Sequence, residues 1–439
     1  MSRSSRARLA AAAGLTAMSM AAAGCGSHAS HASSPVAAAP GILAGSITIG
    51  SYQPLTGTAA PGASEIAPAS RAYFSYVNAH GGIYHRKIIY RYLDDQGSPA
   101  LAPSIVHQLV QQDNVLAIFN GSGTAPHLAV APFLNSARVP DLFAGSGCPC
   151  WDSPPASPET FGWQLDYVRE GKILGAYVAR QFAGVRTGLI YSGDEAGRDG
   201  VRGARYEVPA RQIVAAERYR PAGSQLTREM AAVRARGAQV VIAFTAPAAT
   251  AALRLAMARL NYRPHLVVSS AGSDPVTLAT LLANASHSKP PGSASALIQG
   301  IITDGSLPPA GSASSSWITL FRKIHNQYIP ELPFDTNVVD GMAAAYVFTE
   351  AMLRAGPHPT RSDLVNAISG GLPQGPAVAP LGYSLASHTG VTGAYIGVIR
   401  GTAVVPLGPV MTTDDTPAGP VTPGTLAQPP APPSGLPPH

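Results

Sequence analysis

Short β-branched runs alternate with amphipathic helical stretches along most of this chain, and the alternation starts again halfway. Ile47-Thr48-Ile49-Gly50 is a buried strand, and residues 65–79 follow with Ala69, Ala72, Tyr73, Tyr76 and Val77 at helical spacing. Residues 87–93, 115–119 and 139–143 read as strands, and 99–112 and 126–135 as helices. After a Gly/Pro/Ser-rich stretch at 145–159 the pattern resumes. Helices are expected at 167–182, 197–206, 226–236 and 246–260, and strands at 187–191, 212–218, 240–244 and 265–269. Later helices fall at 314–327, 337–355 and 362–369, with β-like runs at 394–400 and 403–406. Strand–helix alternation implies parallel sheets with right-handed crossovers. The expected class is α/β, with two doubly wound parallel-sheet lobes joined by a hinge.

The ends set the compartment. Arg3, Arg6 and Arg8 precede an apolar run, Leu9 to Ala23, that is shorter than the roughly 20 residues a membrane helix needs. Ala22-Ala23-Gly24 leads directly into Cys25, a lipoprotein-type cleavage site with Ala where Leu is usual. Residues 1–24 are read as a signal peptide and 25–44 as a flexible tether lipidated on Cys25. Residues 412–439 are mostly Pro, Thr, Ala and Gly and read as a disordered tail, with too little apolar surface to offset ordering. About 365 residues remain, more than one core supports. The expected lobes are 45–163 plus about 302–378, and 164–301 plus about 379–411. The formal net charge of +6, three of it in the leader, is no nucleic-acid footprint.

Ligands of parallel α/β sheets bind beyond the carboxyl ends of strands. That rule selects Asn120-Gly121-Ser122-Gly123-Thr124-Ala125-Pro126, where glycines admit close approach and a helix start offers free N–H groups. Thr124 is the expected N-cap. Ala144-Gly145-Ser146-Gly147 repeats the theme one strand later. Trp151, Trp163, Tyr167 and Tyr191 lie near the expected cleft, and Asp94-Asp95 read as a capping pair. Catalytic signatures are missing from the sequence: no Gly-x-Ser-x-Gly elbow, phosphate loop or His-Glu-x-x-His is present. No catalytic residue, cofactor or metal site is expected. Cys148 and Cys150 are read as a local disulfide, with free thiols as the alternative.

In order and spacing, five blocks resemble the branched-chain amino-acid-binding family of type I periplasmic binding proteins, the receptors of ABC importers. They are Gln53 to Ala60, Tyr76 to Ile83 with Arg86-Lys87-Ile88 and Asp94-Asp95, Gly121 to Pro126, Phe161 to Gln164, and Tyr346 to Ala351. The resemblance implies the type I periplasmic binding protein fold and a cleft that shuts on a small molecule. It implies a substrate carboxylate held by Gly121, Ser122, Ala144 and Ser146, with Gln53, Gly145, Thr245 and Ser270 also ligand-binding. The family's ammonium-binding glutamate is absent here, since the chain reads Ser269-Ser270-Ala271-Gly272. The tyrosines of the second lobe are replaced by Ala196 and Thr245. Either Asp194, Glu195 or Asp274 substitutes, or the ligand is not an amino acid; the second is the expectation. The implied protein is a monomeric, lipid-anchored, exported solute receptor for an ABC permease, without nucleic-acid partners. A ligand sensor of the same fold is the alternative, and an exported hydrolase a more distant one.

Overall fold

The computed structural model describes residues 39–220, 226–286 and 293–438. Its first sheet is wholly parallel, in the order β2-β1-β3-β4-β5. In chain order its elements are β1 (Ser46–Gln53), α1 (Ile66–Ala79), β2 (Lys87–Asp94), α2 (Ala102–His107), β3 (Ile118–Phe119), α3 (Thr124–Ser136), β4 (Asp141–Ala144) and β5 (Thr160–Gly162). A parallel sheet needs both faces covered. Leu109, Val115, Val130 and Leu134 cover one face. Phe74, Phe119, Phe143 and the α1 side chains pack into the core on the other.

The second half supplies α4 (Tyr167–Gln181), β6 (Thr187–Ser192), α5 (Glu195–Glu207), β7 (Ile213–Tyr219), α6 (Thr227–Ala235), β8 (Val240–Phe244), α7 (Pro247–Arg259), β9 (His265–Val268), α8 (Pro275–Ser286), α9 (Ser293–Ile298) and β10 (Ile302–Gly305). The chain then returns as α10 (Ser316–Tyr328), α11 (Thr336–Ala355) and α12 (Arg361–Ser369), which join the core of the first half through Trp317, Phe321, Met342, Phe348 and Leu364. It leaves again to add β11 (Gly393–Arg400), β12 (Ala403–Pro406), β13 (Met411–Thr412) and β14 (Thr422–Pro423). The second sheet runs β14-β13-β11-β10-β9-β8-β6-β7, parallel from β7 to β10 and antiparallel beyond.

Helices α4 and α5 meet at the distance glycine allows. A Cβ on Gly171 would lie 2.1 Å from the Gly200 carbonyl oxygen, and one on Gly203 would lie 2.1 Å from that of Val168. Glycines on both helices therefore let the backbones of α4 and α5 pack directly against each other.

Three sequence expectations change. Residues 302–305 were placed in the first lobe but form β10 of the second sheet, because Ile302 pairs with both Val267 and Val398. Residues 39–44, assigned to the tether, are folded: Gly41 accepts from Thr48 N, and Ile42 is buried against the core of the first half. The tail is ordered as well. β13 extends the second sheet, and the segment then reaches the first half, where Trp317 Nε1 donates to Pro429 O, Tyr76 OH to Ser434 O and Tyr73 OH to Gly435 O. Its composition holds few large apolar side chains, but it orders by giving carbonyls to buried donors that would otherwise be unpaired. Lys172 is the strongest case. Its side chain is fully buried, and Nζ donates to the carbonyls of Asp414, Thr416 and Gly419 at 2.9, 2.6 and 2.7 Å, with Asp414 Oδ1 at 3.3 Å.

Deleting residues 412–439 should therefore lower the melting temperature by more than the tail's small apolar area suggests, since it strands a buried ammonium, at a cost of about 3–5 kcal/mol. Adding Lys172→Met to the truncated chain should recover part of that loss in a urea or thermal melt. A truncated chain that melts like the full one, with or without the second change, would refute this role for the tail.

Candidate functional site

Before its tail returns to the first half, the chain crosses between its halves three times, after β5, after β10 and before β11. The crossings are tied together by backbone. Trp163 N donates to Ala144 O, Val391 N to Trp163 O, Gly162 N to His388 O and Val378 N to Ser306 O. Arg169 adds a side-chain brace, donating to Asp166 at 2.5 Å, Thr389 Oγ1 at 2.8 Å and Thr413 O at 3.1 Å.

Between the halves lies a cavity of about 110 Å³ with Ile66, Asn337 and Asp340 on one side and Glu170, Ser270, Asp304 and Tyr395 on the other. A second cavity of about 200 Å³ adjoins it, sharing Tyr167, Glu170 and Ala271, and is lined further by Tyr219, Phe244 and Thr245. Asp274 closes one rim, its Oδ1 accepting from Thr277 N at 2.8 Å in its own helix and its Oδ2 from Thr336 N at 3.2 Å across the cleft.

The centre of this site is a carboxyl pair. Glu170 Oε1 accepts Ser270 N at 2.8 Å and Ser270 Oγ at 2.6 Å, and Asp304 Oδ1 accepts the same N–H at 3.0 Å. Burial raises both carboxyl pKa values, and for Asp304 the Glu170 charge and its hydrogen bond add to the rise. Burial also lifts Asp340 to about 6, against the opposing hydrogen bond from Trp163 Nε1 at 2.8 Å.

The predicted residues divide into two places. Thr245 and Ser270 line the cavities, Thr245 bonded to Thr250 Oγ1 at 2.7 Å. Gly121, Ser122, Ala144, Gly145 and Ser146 stand together but line neither cavity. Their two loops form a ladder of their own: Ser122 N donates to Tyr52 O, Gly123 N to Gly145 O, Gly145 N to Gly121 O and Ser146 N to Ala144 O. Thr124, the expected N-cap, begins α3 behind Gly123 and spends its hydroxyl on Ser146 Oγ at 2.7 Å, with Tyr167 OH at 3.4 Å. Gln53 is fully buried beneath the loop, donating to Ser51 Oγ at 2.8 Å and Asn120 O at 2.5 Å, so it braces the loop and does not face the cleft. Positive φ at Asn120 and Phe143, locked by the Asn120 Nδ2 bond to Phe143 O at 2.9 Å, holds the paired loops in shape.

Of the candidate acids, Asp194 caps α5 at Gly197 N and lines the second cavity, Glu195 pairs with Arg198 at 2.5 Å, and Asp274 spans the rim. The acids that sequence reasoning missed are Glu170, Asp304 and Asp340. Two of them carried a signal: Glu170 sits on the buried face of α4, and Asp304 follows Ile301-Ile302-Thr303 inside a strand. Cys148 and Cys150 are disulfide-bonded, and Cys25 lies outside the described residues. The histidine near the serine loops, His127, bonds Tyr52 OH at 2.6 Å and Asp141, all three fully buried, and so does not pair with Ser122 or Ser146 as a hydrolase base would. Among the described residues no cluster of three metal-ligating side chains occurs, and no helix is long and apolar enough to cross a membrane.

The sequence matches the profile of a periplasmic binding protein family over residues 46–403, and the chain belongs to that family. Members are solute-binding proteins, not enzymes. Among solved structures it is similar to a possible leucine/isoleucine/valine-binding protein from Rhodopirellula baltica, at TM-score 0.73 and 20% identity over 83% of this chain and 97% of that one. It is also similar to a branched-chain amino acid ABC transporter protein from Thermus thermophilus with bound valine, at 0.72 and 20% over 84% and 98%. A fatty acid ABC transporter substrate-binding protein from Thermomonospora curvata gives 0.71 and 21% over 84% and 93%. No curated protein sequence matches.

A second carboxylate cluster spans the rim. Burial, with Asp335 and Asp274 beside it, pushes Glu65 up to about 9, and burial and Asp274 push Asp335 to about 6. Raised carboxyl pKa values mean stability that is complete below the unfolded values near 4 and is lost as pH climbs through the raised ones. The melting temperature should fall between pH 5 and pH 9, and Glu65→Gln should flatten the fall and melt a few degrees above the native chain at pH 8, at roughly 2–4 °C per kcal/mol. A Glu65→Gln profile parallel to the native one would rule this out. Separately, Gly121→Ala should destabilise by about 1–3 kcal/mol, because the added Cβ would lie 2.5 Å from the buried Tyr52 ring, and a denaturant melt reads it.

Proposed function

We propose that this protein captures a small polar molecule between its two halves and delivers it to an ABC importer. The observation that carries the reading is a cavity lined from both halves, beside the segments where the chain crosses between them. Contacts made from both sides favour the closed arrangement when ligand is present. The names of similar proteins, which include an amino-acid and a fatty-acid binder, support a solute receptor and leave the solute open.

A lipid on Cys25 would hold the receptor at the outer face of the membrane as a monomer beside its permease. Its lobes would be the first sheet with α10 to α12, and the second sheet with its helices.

The test is a thermal-shift screen of the full chain against amino acids, amides, ureas, carboxylic acids and amines. A true ligand at a hundred times its Kd stabilises by about 2.7 kcal/mol, and Ser270→Ala should weaken that ligand without lowering the ligand-free melt by more than about 1 kcal/mol. A chain that melts cooperatively but responds to no compound class would count against capture. Labelling of expressing cells with an alkyne fatty acid should mark the native chain and not Cys25→Ala; equal labelling would remove the anchor.

A further inference from the structure

The chemistry of the cleft narrows the ligand, given the capture reading above. The two cavities are lined by Glu170, Asp194, Asp274, Asp304 and Asp340, and by no lysine, arginine or histidine. Asp194 and Asp274 are committed to backbone N–H groups. Glu170 and Asp304 are different. They crowd onto one N–H, that of Ser270, and no donor of another described residue reaches Asp304 Oδ2, although that side chain is only 4% exposed and lines the cavity. Two adjacent buried carboxyl groups cannot both ionise unless a cation joins them.

The other end of the cleft makes the complementary point. The loops expected to receive a ligand carboxylate have spent the N–H groups of Ser122, Gly123, Gly145 and Ser146 on each other and on Tyr52, and the Ser146 hydroxyl is taken by Thr124. Tyr167, bonded to Thr124 and lining both cavities, stands between those loops and the acids. These four N–H groups and that hydroxyl of the anion receptor are thus engaged by the protein's own groups, while no cationic side chain of a described residue lines the cavities beside the carboxyl pair.

We propose that the ligand is a small organic amine, its ammonium seated against Glu170 and Asp304 with Asp340 opposite and its body in the adjoining aromatic cavity. An R–NH3+ group offers three donors for three carboxylates. Its entry displaces the proton shared by Glu170 and Asp304, which leaves to solvent, so the site loses one proton for each cation gained. Tyr167, Tyr219 and Phe244 line the space beyond, where aromatic faces suit a cation or its carbon chain.

Isothermal titration of the full chain with putrescine, phenethylamine, isoleucine, hexanoate and calcium chloride tests this. At least one amine should bind with release of about one proton, read from buffers of different ionisation enthalpy. The other titratable groups facing the pair are Asp166, Tyr167, Asp340 and Tyr395. Asp304→Asn should weaken that amine at least about tenfold while the ligand-free chain melts at or above the native temperature. Glu170→Gln reads the same pair should Asp304→Asn fail to fold. Binding of isoleucine or hexanoate that Asp304→Asn leaves unchanged would overturn the amine and keep the capture reading. Calcium binding lost in Asp304→Asn, without amine binding, would reassign the pair to a metal and overturn it too. A folded chain that binds none of the amines overturns the proposal, and if the wider screen is silent as well the capture reading falls with it.

Discussion

Trp163 leaves the first sheet with three obligations, and the cleft is assembled as they are met. Its N–H is held by Ala144 O at the end of β4, its carbonyl receives Val391 N from the returning chain, and its indole N–H reaches Asp340 on α11. Gly390 lies so close that a Cβ there would stand 2.1 Å from the Trp163 carbonyl oxygen. One buried residue thereby fixes the serine-bearing loop of the first sheet, two of the crossings and one carboxylate of the cavity. The side chain is 1% exposed, so its packing and its hydrogen bonds are set together.

Around that point the protein concentrates carboxyl groups where it excludes water. A pair of carboxyl groups around Ser270 N, a second pair at Glu65 and Asp335, and Asp340 beneath Trp163 all have raised pKa values, and burial leads the causes in each. Such groups cost stability in the empty protein. A cost of this kind persists where another event offsets it, and in a hinged receptor that event is ligand entry. The tail works in the opposite sense. It brings carbonyls to Lys172, Trp317, Tyr73 and Tyr76, and so satisfies donors at both halves with a segment that has little apolar surface of its own.

The site was only partly legible in the chain. Thr245 and Ser270 were selected by the rule that strand ends in parallel sheets face ligands, and both line cavities. The Gly121 and Gly145 loops were found by the same rule and do lie at strand ends, but which of their N–H groups remain free depends on how the two loops pair. Gln53 was drawn in by its block and proved to be a strut. Glu170 and Asp304 are 134 residues apart in number, and their meeting on one N–H is a property of packing.

The sequence by itself determined the α/β class, the two rounds of parallel strands and the family, because each rests on local periodicity or on residues adjacent in the chain. Only the tertiary structure decided that β10 belongs to the second sheet, that the Pro-rich tail is ordered, and that the cleft is lined by acids without bases. Strand order, the satisfaction of buried donors and the sign of charge in a cavity arise from groups brought together across long loops, and composition along the chain carries no record of which partner each group finds.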